Sequence, residues 1–274
     1  MSDSGLFERL TRRVDSLIPT RVTGRVSAIT GTTIAAVGMP APVGARCEAR
    51  TGGGRRVECE VVGLKLGQTL LSVFDDATGL APGDDIELLS ASADAPVGFD
   101  LLGRVIDGQG HALDDGPDPV LNYSYPLYRD PPAPLERRSI DAPLGLGVRA
   151  IDGLLTAGLG QRLGVFAGTG VGKSVLMGML CRNTQADVNV VALIGERGRE
   201  VGDFIETQLG PEGLKRSVVV ACTSDQAPAL RVRSCFLATA IAEFFRDQGL
   251  NVLLMMDSLT RMAMAQRQIG LAAG

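Results

Sequence analysis

Ala167-Gly-Thr-Gly-Val-Gly-Lys-Ser174 lies between one apolar run, Leu163 to Phe166, and another, Val175 to Leu180. Glycine tolerates positive φ and lets the backbone come close to a ligand, as a loop wrapped around phosphate requires. The amides from Thr169 to Ser174 can then converge as a nest, and the N-terminus of the helix that follows adds partial positive charge. In this reading Gly168, Thr169, Gly170, Val171, Gly172, Lys173, Ser174 and Val175 form an anion cradle. Lys173 reaches the outer phosphates and the Ser174 hydroxyl ligates Mg²⁺. The strict pattern opens on Gly where this chain has Ala167, while Gly170 to Ser174 keep its Gly-x-Gly-Lys-Ser core. The flanking runs predict a strand entering the loop and a helix leaving it.

Beyond Ser174 strands and helices alternate. Val188 to Ile194 reads as an apolar strand, Ser217 to Cys222 as a strand and Val252 to Met256 as a continuous apolar strand, the pattern of a parallel sheet covered on both faces. Helices are predicted over Val201 to Leu209, stopping at Gly210-Pro211, over Pro228 to Asp247, and over Ser258 to Ile269. Polar residues then fall at strand ends: Glu196 after Ile194, Asp225 after Cys222, Asp257 after Met256. In a parallel sheet those ends share one edge, where ligands bind. Asp257 is placed to hold Mg²⁺ beside Ser174. Glu196 is placed to orient and deprotonate a water beyond the terminal phosphate, or else to pair with Arg197 or Arg199. Glu200 reads as a supporting carboxylate. Arg197, Arg199, Arg231, Arg233 and Arg261 can each face phosphate, a carboxylate or a neighbouring subunit; Arg197 joins Glu196 and Lys173 as a candidate catalytic residue.

The region before the loop has another texture. Residues 5–17 place Leu6, Leu10, Val14 and Leu17 at helical spacing, so segment 1–19 reads as an amphipathic helix, for packing on its own domain or docking a partner helix. Residues 20–92 contain six short β runs between glycine-rich turns: Val22 to Ile29, Thr32 to Val37, Arg46 to Arg50, Val57 to Leu64, Thr69 to Val73 and Asp85 to Leu89. That pattern suits a small closed barrel or sandwich. Ser90 to Pro96 reads as a small-residue linker, 99–115 as a hairpin about Gly108-Gln-Gly110, the proline-rich passage after it as an extended wrap, and Arg149 to Leu155 as a short helix. Residues 93–274 form the nucleotide domain.

Composition narrows the classes. Hydrophobic residues make up 45% of 274, enough for a core, and the net charge of −4 speaks against a nucleic-acid binder that relies on bulk positive charge. Five dispersed cysteines fit a reduced compartment better than a disulfide framework. The single histidine, His111, sits in a Gly/Asp-rich turn and offers no basis for a histidine metal site or a Ser-His-Asp triad. Without a signal pattern or a membrane-length apolar run, the expected location is the cytoplasm, with peripheral membrane association at most.

Several runs together resemble the rotary-ATPase superfamily: Gly-Val-Arg-Ala-Ile-Asp (147–152), Gly160 to Ser174, Gly-Glu-Arg-Gly-Arg-Glu-Val (195–201), Phe-Arg-Asp-Gln-Gly (245–249), Leu-Leu-Met-Met-Asp-Ser-Leu-Thr-Arg (253–261) and Ala263 to Gly274. Within it the chain is most similar to the flagellar and type III secretion export ATPases, whose loops usually open on Ala-Gly. The resemblance implies an α/β fold, a RecA-like parallel sheet preceded by a small all-β barrel. It implies ATP and Mg²⁺ as ligands, Glu196 as catalytic glutamate, Lys173 and Ser174 as phosphate and metal ligands, and Asp257 as the second acidic element. It further implies a homohexamer, a regulatory stator protein on the N-terminal helix, and work on the export apparatus, chaperones and secreted substrates, with flagellar and virulence-type export not separated. The family's remaining strands, adenine-stacking aromatic, arginine finger and C-terminal helical domain would lie beyond Gly274, so the chain reads as a C-terminally truncated copy and hydrolysis by it alone is left open. Alternatives are a synthase catalytic subunit, a nucleotide-binding assembly module that does not hydrolyse, and, more weakly, an RNA-translocating hexamer.

Overall fold

Residues 21–137, 139–168 and 170–273 are described in a computed structural model. The helix expected over 1–19 lies outside them, as does Thr169 of the loop. The described residues divide into two compact units, one made by 21–93 with 268–273, the other by Asp94–Arg267.

In the first unit, Thr23–Thr30 (β1), Thr33–Val37 (β2), Arg46–Arg50 (β3), Arg56–Lys65 (β4), Gln68–Val73 (β5) and Asp85–Ser90 (β6) close into a barrel in the order β1-β2-β5-β4-β3-β6. Alternate side chains point inward, so Val26, Ile34, Ala36, Cys47, Ala49, Val57, Cys59, Val61, Leu71, Val73 and Ile86 fill the interior. Closure leaves no strand edge open, which lets strands of five to ten residues stand as a unit. Gly24 is obligatory for packing: a β-carbon there would lie 2.6 Å from both Met39 Cβ and the Val37 carbonyl. The six runs read from the sequence are these six strands.

The second unit contains β7 (Asp94–Val97), β8 (Val105–Ile106), β9 (Tyr123–Pro126), α1 (Arg149–Leu154), α2 (Lys173–Asn183), β10 (Val188–Glu196), α3 (Gly198–Asp203), α4 (Gly210–Lys215), β11 (Ser217–Thr223), α5 (Pro228–Asp247), β12 (Val252–Asp257) and the greater part of α6 (Leu259–Ala273). Its main sheet runs β12-β10-β11-β8, with every neighbouring pair parallel. From Val188 to Gly195, β10 is buried at every position, because helices cover both faces. Met177, Leu180 and Cys181 of α2 pack with Val191, Leu193, Val219 and Ala221 on one face. The 20-residue α5, opened by Pro228, covers the other and buries Leu230, Ala238, Ile241, Phe244 and Phe245.

Three expectations are corrected. Leu163 to Phe166 is not a strand: it joins no sheet among the described residues, and Leu163, Val165 and Phe166 are exposed, Phe166 at 97%. The outer edge of β12 is unoccupied among the described residues, yet the run does not pair there. Asp94 to Pro96, expected within a linker, instead belong to the strand Asp94–Val97, which pairs with Tyr123–Pro126 and buries Ala95 and Val97. The helix after Glu196 does not stop at Gly210-Pro211. It widens into a π-helical stretch, Phe204–Leu209, turns at Gly210 (φ +66°) and restarts with Pro211 in the first turn of α4, where proline's missing N–H costs nothing. The hairpin about Gly108–Gly110 is present, tied by the Ile106–Ala112 bridge and by Asp107 Oδ1, which accepts the amides of Gln109 and His111.

Candidate nucleotide site

The glycines of the loop take the backbone the sequence requires of them. Gly170 has φ +78° and Gly172 φ +94°, left-handed values that a side chain would strain. Gly172 caps α2, its carbonyl accepting the Leu176 amide at 2.9 Å, and Lys173 and Ser174 are the first residues of that helix. The first amides of a helix have no partner within it, so the loop presents unpaired donors together with the positive end of the helix dipole. A β-carbon at Gly168, Gly170 or Gly172 would meet nothing within 4 Å, so conformation, not crowding, asks for glycine in the free chain.

The acids arrive from the sheet. β10 and β12 are in register, Leu193 opposite Asp257, so both strands end on the rim that faces the loop. Asp257 is buried, and the Lys173 ammonium donates to its Oδ1. Against β11 the register of β10 slips between Ile194 and Glu196, leaving Gly195 as an extra residue with φ +69°. Such a glycine bulge turns the following side chain. The Glu196 carbonyl accepts the Ser224 amide at 2.9 Å, and Arg261 Nη2 donates to Glu196 Oε2 at 3.3 Å. The other guanidinium nitrogen of Arg261, Nη1, donates to the Gly195 carbonyl. Burial first, then a hydrogen bond with Glu200, pushes the Glu196 carboxyl up to about 7, with Arg261 pulling it down and Asp257 adding to the rise. Glu200 moves down, because that shared bond and Arg197 favour its ionised form.

Lys173, Glu196 and Asp257 therefore meet on one rim, with Ser174 next to Lys173. Arg197 does not join them: its side chain is 80% exposed and donates to Glu200 at 3.1 Å. Glu196 pairs with Arg261 and not with Arg197 or Arg199. Asp225 is held low by the Thr223 hydroxyl at the end of β11. Arg261 is the residue whose place the sequence left unranked. The signal for it is position: Arg261 lies in the first turn of α6, which follows directly on the strand that ends in Asp257. The donors present fit a hard cation, since Ser174 offers a hydroxyl and Asp257 a carboxylate that already accommodates positive charge at Oδ1. No cluster of three or more His, Cys, Asp or Glu exists among the described residues, so a cation here would take its other ligands from phosphate and water.

Residues 147–274 match the nucleotide-binding domain of the ATP synthase alpha/beta family. The flagellum-specific ATP synthase of Bacillus subtilis (strain 168) is 49% identical over 253 residues, which cover 92% of this chain and 58% of that protein. The type 3 secretion system ATPase of Xanthomonas euvesicatoria is 48% identical over 276 residues, covering 100% of this chain and 62% of that one. Among solved structures, the assembled ATPase EscN in complex with its central stalk EscO, from the enteropathogenic E. coli type III secretion system, superposes with a TM-score of 0.84 at 46% identity, over 92% of this chain and 61% of that chain. The chain thus spans about three-fifths of the length of these relatives.

Proposed function

We propose that this chain, whose residues 147–274 match the nucleotide-binding domain of the ATP synthase alpha/beta family and which resembles flagellar and type III secretion ATPases, is the barrel and nucleotide-site region of an ATP-hydrolysing enzyme that energises protein export. The observation that carries the reading is the meeting of Lys173, Asp257 and Glu196 at the carboxyl ends of parallel strands. In this reading the loop from Gly168 to Val175 cradles the phosphates through backbone amides, and Lys173 leaves Asp257 for the outer phosphates. Ser174 and Asp257 are the residues that would hold Mg²⁺, which when bound offsets phosphate charge. Glu196, with its proton affinity raised towards neutrality, orients the attacking water and accepts its proton. Arg261 fixes the carboxylate that does so.

The assembled EscN structures, one in complex with its central stalk, support an oligomeric assembly with partner proteins; the reading extends to a cytoplasmic homohexamer with a stator on its N-terminal segment and with export components, chaperones and secreted chains as partners. No described helix is long and apolar enough to cross a membrane.

Glu196→Gln tests the assignment: nucleotide binding is kept while phosphate release falls by about two to four orders of magnitude, the usual worth of a general base. Unchanged release would remove Glu196 from the chemistry. One observation favours a second reading for the chain as it stands. The run leading into the cradle is unpaired and exposed, so the loop lacks the rigid strand that would fix it beneath the γ-phosphate. Nucleotide binding without hydrolysis, as in a nucleotide-gated assembly module, is the outcome that reading predicts when both assays are run on one sample.

A further inference from the structure

We propose that Gly195 is a positioning residue, whose missing side chain lets Arg261 lie across the end of β10 and hold Glu196 in place. The inference rests on reading Glu196 as the water-orienting group and names what fixes it there. Four observations converge. Gly195 is the extra residue of a bulge, with Ile194 opposite Cys222 and Glu196 opposite Thr223. Its φ of +69° is left-handed. A β-carbon added to it would lie 2.8 Å from Arg261 Cδ, closer than real β-carbons come to other atoms, and a tight 3.2 Å from Arg261 Cβ. The same Arg261 donates both to the Gly195 carbonyl and to the Glu196 carboxylate.

The glycine therefore serves two ends. The bulge turns Glu196 out of the ladder towards the rim, and the empty space above Gly195 is the bed in which the arginine lies. Any side chain at 195 evicts Arg261 even where it leaves the strand intact, and Glu196 loses the cation facing it while keeping Glu200 and Asp257 as neighbours. Loss of an opposite charge at this range raises a carboxyl's proton affinity.

The test is a cycle of Gly195→Ala, Arg261→Ala and the double variant, read by ¹³C-carboxyl NMR titration of Glu196 in the nucleotide-free chain. Each single variant moves the Glu196 midpoint upward by about one pH unit or more. The double variant moves it no further than either, since with Arg261 cut back the alanine has nothing left to evict. Gly195→Asn tolerates left-handed backbone better yet carries a β-carbon, so it separates strain from eviction and shifts the midpoint as alanine does. A glycine needed for backbone conformation alone would lower thermal stability and leave the midpoint in place. An unmoved midpoint in both 195 variants, or additive shifts in the double variant, would overturn the proposal. The hydrolytic reading fails separately, through unchanged phosphate release in Glu196→Gln.

Discussion

The ammonium of Lys173 rests on the carboxylate of Asp257, so the cation of the cradle is already matched before any phosphate arrives. A nucleotide that draws Lys173 away leaves Asp257, a buried carboxylate, facing added negative charge, and removing one member of a buried pair is costly. On the proposed reading, metal-free nucleotide would be held back by its competition for Lys173. Asp257→Asn frees Lys173, and the variant is expected to bind metal-free nucleotide more tightly than wild type while losing most of its gain from Mg²⁺, on the order of tenfold each way. Fluorescent-nucleotide titration with Mg²⁺ and with chelator reads both. Equal metal-free affinity in the two proteins would show that the ion pair exerts no such hold.

The raised Glu196 carboxyl makes stability depend on pH with a definite sign. Its folded form keeps, up to about 7, a proton that the unfolded chain releases near the ordinary glutamate value. The folded state binds more protons across that window, so its stability falls as pH rises through it and is level above it. Relative to wild type, Glu196→Gln is expected to become more stable from the ordinary glutamate range up to about pH 7, with a constant difference beyond. Thermal denaturation of both proteins across that range measures this. A difference independent of pH would mean that the carboxyl titrates at its usual value.

Phe166 and Ile194 are large apolar residues at the ends of two runs that look alike in the sequence, yet Phe166 is 97% exposed and Ile194 0%. Phe166→Ser in this chain is expected to shift stability by no more than about 0.5 kcal/mol, as exposed positions do. Ile194→Ala should cost about 2–5 kcal/mol through lost burial and the cavity left behind. Denaturant unfolding monitored by circular dichroism compares them, and similar costs would mean that the run before the loop is packed after all.

All five cysteines are free and buried, and burial pushes the thiols of Cys47, Cys181 and Cys235 up to about 12 and that of Cys222 to about 11. The thiolate is the reactive form, so none of the five should titrate quickly with an aromatic disulfide reagent at neutral pH, and all five should after unfolding. Rapid reaction of even one thiol in the folded chain would contradict the burial of that cysteine.

Much of the architecture was legible because local patterns and tertiary structure agree. The barrel strands show apolar alternation between glycine turns, and β10, β11 and β12 are largely apolar runs of the kind a doubly covered sheet uses. Glu196 and Asp257 could be placed because they follow such strands. What escaped depends on neighbours distant in sequence. Leu163 to Phe166 has strand composition, but composition does not decide whether a run pairs, and this one leaves the outer edge of β12 unoccupied among the described residues. Asp94–Val97 was hidden by small residues and Pro96, and becomes a strand only because Tyr123–Pro126 lies against it. Arg261 was one of five arginines with equal claims until the space above Gly195 singled it out.

The most direct test of the whole account is the affinity of wild type and Lys173→Ala for a fluorescent adenine nucleotide in the presence of Mg²⁺. Wild type is expected to bind saturably, and Lys173→Ala to bind at least about tenfold more weakly, since a charge-assisted contact to phosphate is worth about 1.5–3 kcal/mol. Equal affinity in the two proteins, or no saturable binding in wild type, would contradict a phosphate cradle at Gly168–Val175.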